Sequence, residues 1–91
     1  MLSQDAKKTF SGMMTEEQFT MLIDISSIRS TKVIQALKDY FVIGKKRGVI
    51  CELHNVNQGY LSIKIREVLN LYKKILKMNL YLQGLVSKDV A

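Results

Sequence analysis

Three cations stand in a row at Lys45, Lys46 and Arg47, and ten residues later comes the polar run Asn57, Gln58, Gly59, Tyr60. These types suit two tasks on one ligand. Lysine and arginine hold phosphate oxygens, which fixes a protein on a nucleic acid without reading its sequence. Asparagine and glutamine can pair bidentately with adenine, and tyrosine can touch a thymine methyl. Ser62 and Lys64, one turn further on, are spaced for phosphate or base contact, and Arg66 fits either a phosphate or a solvated surface. No arginine falls in the first turn of this run to grip guanine, so the composition favours A·T-rich sites. Asn57 fits a helix cap as well as it fits a base contact. Gly59 fits a close backbone approach or an ordinary first-turn position.

Other chemistry is poorly supplied. The single histidine, His54, and the single cysteine, Cys51, lie three apart. Two ligands do not close a zinc site, so neither a metal nor any other cofactor is expected. Cys51 reads as a packing residue and His54 as a turn residue. Asp24 and Asp39 are isolated carboxylates, and Gly44 and Gly48 lack the remainder of a phosphate-loop pattern. No enzyme is expected.

The elements that must position these residues follow from spacing. Residues 44–69, GKKRGVICELHNVNQGYLSIKIREVL, read as a short helix, a tight turn and a second helix. That is the pattern of a helix-turn-helix, whose second helix enters the major groove while the first crosses the backbone. The first helix runs from about Lys46 to His54, with Val49, Ile50 and Leu53 as its apolar side. Asn55 tolerates the positive φ of a tight turn, Val56 follows as an apolar plug, and Asn57 can cap what comes next. From Gln58, the residues Leu61, Ile65, Val68, Leu69 and Tyr72 recur on one inward face.

Two helices precede this unit. Thr15 and Gln18 have capping-box spacing, with Glu16 and Glu17 at the positive end of the dipole and Phe19, Leu22 and Ile23 on one face. Ser26 and Ser27 interrupt. Ser30 or Thr31 can cap a helix that runs through about Val42, buries Val33, Ile34, Leu37, Tyr40 and Phe41, and ends at Gly44 in a left-handed conformation. The expectation is an all-α protein, a small helical bundle containing a helix-turn-helix. Residues 1–12 form a flexible arm, residues 13–72 the DNA-binding domain and residues 73–91 a helical extension.

That extension carries a stripe of Leu71, Ile75, Met78, Leu82 and Leu85. Either the last helix runs on as a long exposed arm, or it breaks near residues 73–78 and folds back. The stripe then serves either as an oligomer contact or as the completion of the monomer core.

Charge supports the nucleic-acid reading. The formal net charge is +6, and residues 31–74 hold nine basic side chains against three acidic ones. Such a field draws the chain to polyanions, with RNA and anionic lipid answering to the same charge. The 91-residue length suits one small domain, and the lone cysteine excludes an internal disulfide. With no apolar run long enough to span a bilayer, a soluble, cytoplasmic, nucleoid-associated protein with no membrane partner is expected.

Residues 14–72 also resemble a known family. The resemblance rests on Met14-Thr15-Glu16, Leu22-Ile23, Ile25-Ser26-Ser27-Ile28 with Ser30, and Val33-Ile34 with Ala36. It continues through Lys38-Asp39-Tyr40, Val42, Gly44, Arg47 and Cys51, and then Asn57, Gly59-Tyr60 and Ser62. These resemble the PapB/FocB family of enterobacterial fimbrial (adhesin) operon regulators. The resemblance implies a helical transcription regulator that binds A·T-rich double-stranded DNA as a dimer or larger homo-oligomer. By position, Arg47 and Cys51 fall on that family's helix-turn-helix, and Asn57, Gly59, Tyr60 and Ser62 on its recognition helix. The sequence departs from the family before Met13 and beyond Tyr72, and Lys45-Lys46 is more basic than the family pattern. A rival reading is a protein-interaction module of the same shape acting on a polymerase subunit or recombinase.

Overall fold

The computed structural model describes residues 10–84, and among them there are four α-helices and no strand. Helix α1 spans Glu16–Ile25. Thr15 caps it: the Gln18 amide donates to Thr15 Oγ1 at 3.1 Å while the Thr15 amide donates to Gln18 Oε1 at 3.0 Å. This reciprocal pair satisfies two amides that the first turn would otherwise strand. The helix stops at Ser26, whose hydroxyl donates to the Ile23 carbonyl at 2.8 Å.

Helix α2 spans Thr31–Lys38, with Ser30 rather than Thr31 as its cap. The chain then departs from the expected α-helix. Asp39–Ile43 form a π-helical turn, in which the Asp39 carbonyl accepts from both Gly44 N–H at 2.8 Å and Lys45 N–H at 2.9 Å. The wider turn buries the neighbouring side chains Tyr40 and Phe41 together, their rings edge-to-face at 4.9 Å. Gly44 ends the element at φ 89°, the left-handed conformation its lack of Cβ permits. Ahead of α1, the Gly12 amide donates to the Tyr40 carbonyl and the Met14 amide to the Phe41 carbonyl, at 2.8 and 2.9 Å. Of the expected arm, residues 1–9 lie outside the described residues, and Gly12 is already fastened to the bundle.

Helix α3 spans Arg47–His54 and α4 spans Gln58–Leu82. Asn55 joins them at φ 55°, and Val56 N–H closes the turn onto the Cys51 carbonyl at 3.0 Å. Phe41, Leu37, Ile50, Leu61, Ile65 and Val68 are the largest fully buried side chains, drawn from every element except α1. Helix α1 closes the core with Phe19, Leu22 and Ile23. Of the apolar side expected for α3, only Ile50 is buried. Val49 and Leu53 remain about half exposed, because the eight-residue helix touches the bundle along a narrow line. Ile34 is only partly buried.

The last helix does not break. It runs 25 residues, about 37 Å at the usual helical rise. Helix α1 lies antiparallel beside its middle: Gln18 shares a groove with Tyr72, Ile75 and Asn79, and Ser26 shares one with Glu67 and Val68. The groove beside Gln18 also takes in Met78 and Leu82. Leu71 and Tyr72 are partly buried, whereas Ile75, Met78 and Leu82 are exposed, so these three do not complete the monomer core. Leu85 lies outside the described residues. No helix among the described residues is long and apolar enough to cross a membrane.

Candidate nucleic-acid interface

The basic run sits at the amino end of α3. Lys46 occupies the cap position without a side-chain cap, and no acidic residue stands in the first turn. Cations at this end oppose the helix dipole, and the first amides have no side-chain acceptor. A Cβ added at Gly48 would meet nothing within 4 Å, so the space over this turn is open.

Arg47 links the two helices. Its Nη1 donates to Ser62 Oγ at 2.8 Å, and its guanidinium lies over the Tyr40 ring, 5.3 Å from the centroid. The amino end of α3 is thereby held against the second turn of α4. Lys46 and Gln58 line one shallow groove together with Val49, Cys51, Glu52 and Asn55.

Lys45 behaves differently from its neighbours. Its Nζ lies 3.4 Å from Asp39 Oδ2, and the same oxygen is 2.7 Å from His54 Nε2. Burial pushes the Asp39 carboxyl up, but the hydrogen bonds from His54 and Lys45, with their charges, outweigh it and hold the group below its ordinary value. His54 is therefore more than a turn residue: it fastens the carboxyl end of α3 to the π-helical turn. Nothing in the sequence marks this pair, since Asp39 and His54 are 15 residues apart and only the docking of α3 brings them together.

At the start of α4, Asn57 Oδ1 accepts from the Tyr60 amide at 3.1 Å, so this side chain caps the helix. A Cβ on Gly59 would lie 3.1 Å from that same oxygen. Glycine here keeps the cap undisturbed. Tyr60 is exposed and lines a groove with Ser30, Lys32 and Val33 of the α2 entry. Lys64 lies 5.5 Å from the Tyr60 ring centroid and pairs with Glu67 Oε1 at 3.0 Å. The hydrogen bond that Lys64 donates to the Glu67 carboxylate raises the Lys64 pKa, against an opposing effect of burial. Arg47, Ser62, Lys46 and Gln58 thus cluster where α3 meets α4. Tyr60 and Lys64 form a separate pair on the flank nearer α2.

Against known proteins, the family PapB, described as adhesin biosynthesis transcription regulatory protein, matches residues 1–82. The chain belongs to this family. Among PapB-family relatives it is 58% identical over 64 residues to the regulatory protein FanB of Escherichia coli, a match covering 70% of this chain and 65% of FanB. It is 45% identical over 60 residues to the pilus-subunit operon regulatory protein PapB of Escherichia coli, covering 66% of this chain and 58% of that protein. In both cases the chain spans less than two thirds of the relative's length. The crystal structure of Escherichia coli FocB is similar at a TM-score of 0.76 and 44% identity, over 78% of this chain and 81% of FocB. The helical bundle described above is therefore a fold that this chain shares with FocB.

Proposed function

We propose that this chain is a DNA-binding transcription regulator of fimbrial or adhesin gene expression that binds A·T-rich duplex DNA through α3 and the start of α4. Membership of a family of adhesin-biosynthesis regulators supports the class. One observation carries the DNA surface: the hydrogen bond from Arg47 to Ser62, which sets an uncapped, basic helix start beside the first two turns of α4. A phosphate over the amino end of α3 would satisfy its amides and neutralise Lys46 and Arg47, which oppose the dipole in the free protein. Lys45, already paired with Asp39, contributes less. Gln58, Gly59, Tyr60 and Ser62 then face the groove, with Asn57 serving first as the cap, and Lys64 acts from the flank.

The exposed residues Ile75, Met78 and Leu82 support a second part of this reading. They give α4 an apolar face that a homo-oligomer would cover, and linked copies would raise the effective concentration at neighbouring sites. The same face favours the alternative, docking on a polymerase subunit or recombinase.

Gel-shift titration at two salt concentrations tests the DNA reading. Binding should weaken steeply with salt, and Arg47→Ala should weaken binding to every duplex and reduce the salt slope by about one. Salt-independent binding, or none, would instead favour the protein-docking alternative.

A further inference from the structure

One carboxylate oxygen, Asp39 Oδ2, serves two side chains that can each carry a positive charge. It lies 2.7 Å from His54 Nε2 and 3.4 Å from Lys45 Nζ. Asp39 is well covered, at 15% exposed, while His54 is 23% and Lys45 39% exposed. The Lys45 amide donates to the Asp39 carbonyl at 2.9 Å. Its backbone is thus pinned next to the amino end of α3, and the ammonium alone is free to turn outward.

The state of the histidine follows from the carboxylate. Asp39 is held below its ordinary value and is ionised at neutral pH, and an ionised carboxylate only accepts. Nε2 of His54 therefore carries the hydrogen of the short bond, and Nδ1 is left to take a second proton from water. The other charged groups on the elements packed against α3 are engaged elsewhere. Lys38 of α2 pairs with Glu16, and Lys64 of α4 pairs with Glu67. Lys32 of α2 lines the groove beside Asn55. Within α3, Arg47 bonds to Ser62 and lies over the ring of Tyr40, and Glu52 shares a groove with Lys46.

A phosphate near the start of α3 competes with Asp39 for Lys45. If Lys45 leaves, a covered carboxylate keeps one hydrogen bond from a neutral ring and no opposing charge, which is costly. A protonated ring supplies both. Withdrawing Lys45 therefore favours a proton on His54, and by reciprocity a proton on His54 favours Lys45 on the phosphate.

We propose that His54 is a positioning residue for DNA binding: by taking a proton at Nδ1 it replaces Lys45 as the cation on Asp39 and frees the Lys45 ammonium for a backbone phosphate. The inference rests on the DNA-binding reading above and adds a proton linkage to it. Binding then takes up a proton, so affinity rises as the pH falls through the range in which histidine changes charge, about pH 5 to 8. His54 is the single histidine of the chain, and Asp39 keeps its charge over that range.

The test uses the full chain and a fluorescein-labelled A·T-rich duplex, with affinity read by anisotropy at fixed ionic strength from about pH 7.5 down to about pH 5.5. The unaltered protein should bind about tenfold more tightly per protomer at the acid end, the scale of one charge-assisted contact. The salt slope should steepen there by about one. His54→Gln keeps a donor for Asp39 but takes no proton, and its affinity should stay at the weaker level throughout. Lys45→Gln should be equally flat, and this variant separates release of Lys45 from the bare charge of an imidazolium. Circular dichroism checks that both variants fold; Lys45→Gln, at a partly exposed site, carries the test if His54→Gln does not. Binding by the unaltered protein that ignores pH would overturn the proposal and leave the DNA-binding reading standing. A full pH response kept by Lys45→Gln, or by a folded His54→Gln, would do the same. Failure of the unaltered protein to bind the duplex at any pH would overturn both together.

Discussion

The two halves of α4 carry the same apolar periodicity and meet different fates. Over residues 58–69 the stripe of Leu61, Ile65, Val68 and Leu69 is buried against α2, α3 and α1. Over residues 73–82 the stripe of Ile75, Met78 and Leu82 stands in solvent. Both halves are helical, because local propensity and the backbone ladder continue regardless of what lies alongside. What differs is the supply of neighbours: all three shorter helices pack on the first half, whereas among the described residues only the start of α1, at Gln18, borders the second. Periodicity in a sequence shows which face wants cover; it does not show whether the same chain provides it.

The sharpest way to break this comparison is truncation on each side of it. Leu61→Ala removes a side chain that is 1% exposed and should cost about 2–5 kcal/mol, the range for a large-to-small change in a packed core. Chemical denaturation gives the value; a loss below about 1 kcal/mol would mean that the inner half is not the packed half. Next in size is Asn57→Ala at the amino end of the same helix. Loss of the cap bond to Tyr60 should cost about 1 kcal/mol, and Asn57→Ser should recover most of it. If Asn57 also touches DNA, the serine variant will restore stability while binding remains weakened.

A pH experiment sharpens the anchoring of the inner half. Asp39 has a folded-state pKa below its ordinary value of 3.8. Its ion pairs therefore add stability that is fully present above about that value and disappears as the pH falls through the folded pKa. Asp39→Asn should be less stable than the unaltered protein at neutral pH, and the difference should vanish in acid. A difference that persists below that range would assign the effect to packing. The smallest effect on the fold is expected in the arm. Met78→Ser, at a site 58% exposed, should change monomer stability by no more than about 0.5 kcal/mol. If the arm is an oligomer contact, sedimentation will show the variant dissociating at concentrations where the unaltered chain associates. A fold cost comparable to that of Leu61→Ala would erase the contrast between the halves.

Much of the bundle was legible residue by residue. The Thr15–Gln18 box, the Ser30 and Asn57 caps, the left-handed Asn55 and the Gly44 stop each depend on neighbours within a few positions. The candidate site was legible in type but not in arrangement. Lys45, Lys46 and Arg47 read alike in sequence, yet Lys45 turns to Asp39, Arg47 turns to Ser62 and Lys46 stays exposed. The π-helical turn and the Asp39–His54 pair carry no local signature, and the pair forms only where α3 comes to rest.

By itself, the sequence determined the helix starts and the turns between them, the inner apolar face of the first half of α4 and the gathering of charge over residues 31–74. These follow from interactions among residues close in the chain, where spacing is geometry. Only the tertiary structure decided that Lys45 and Arg47 are tied down while Lys46 stays exposed, and that Ile75, Met78 and Leu82 at the end of α4 stand exposed. Those outcomes depend on contacts between elements far apart in the chain, and contacts of that kind exist only once the helices have packed.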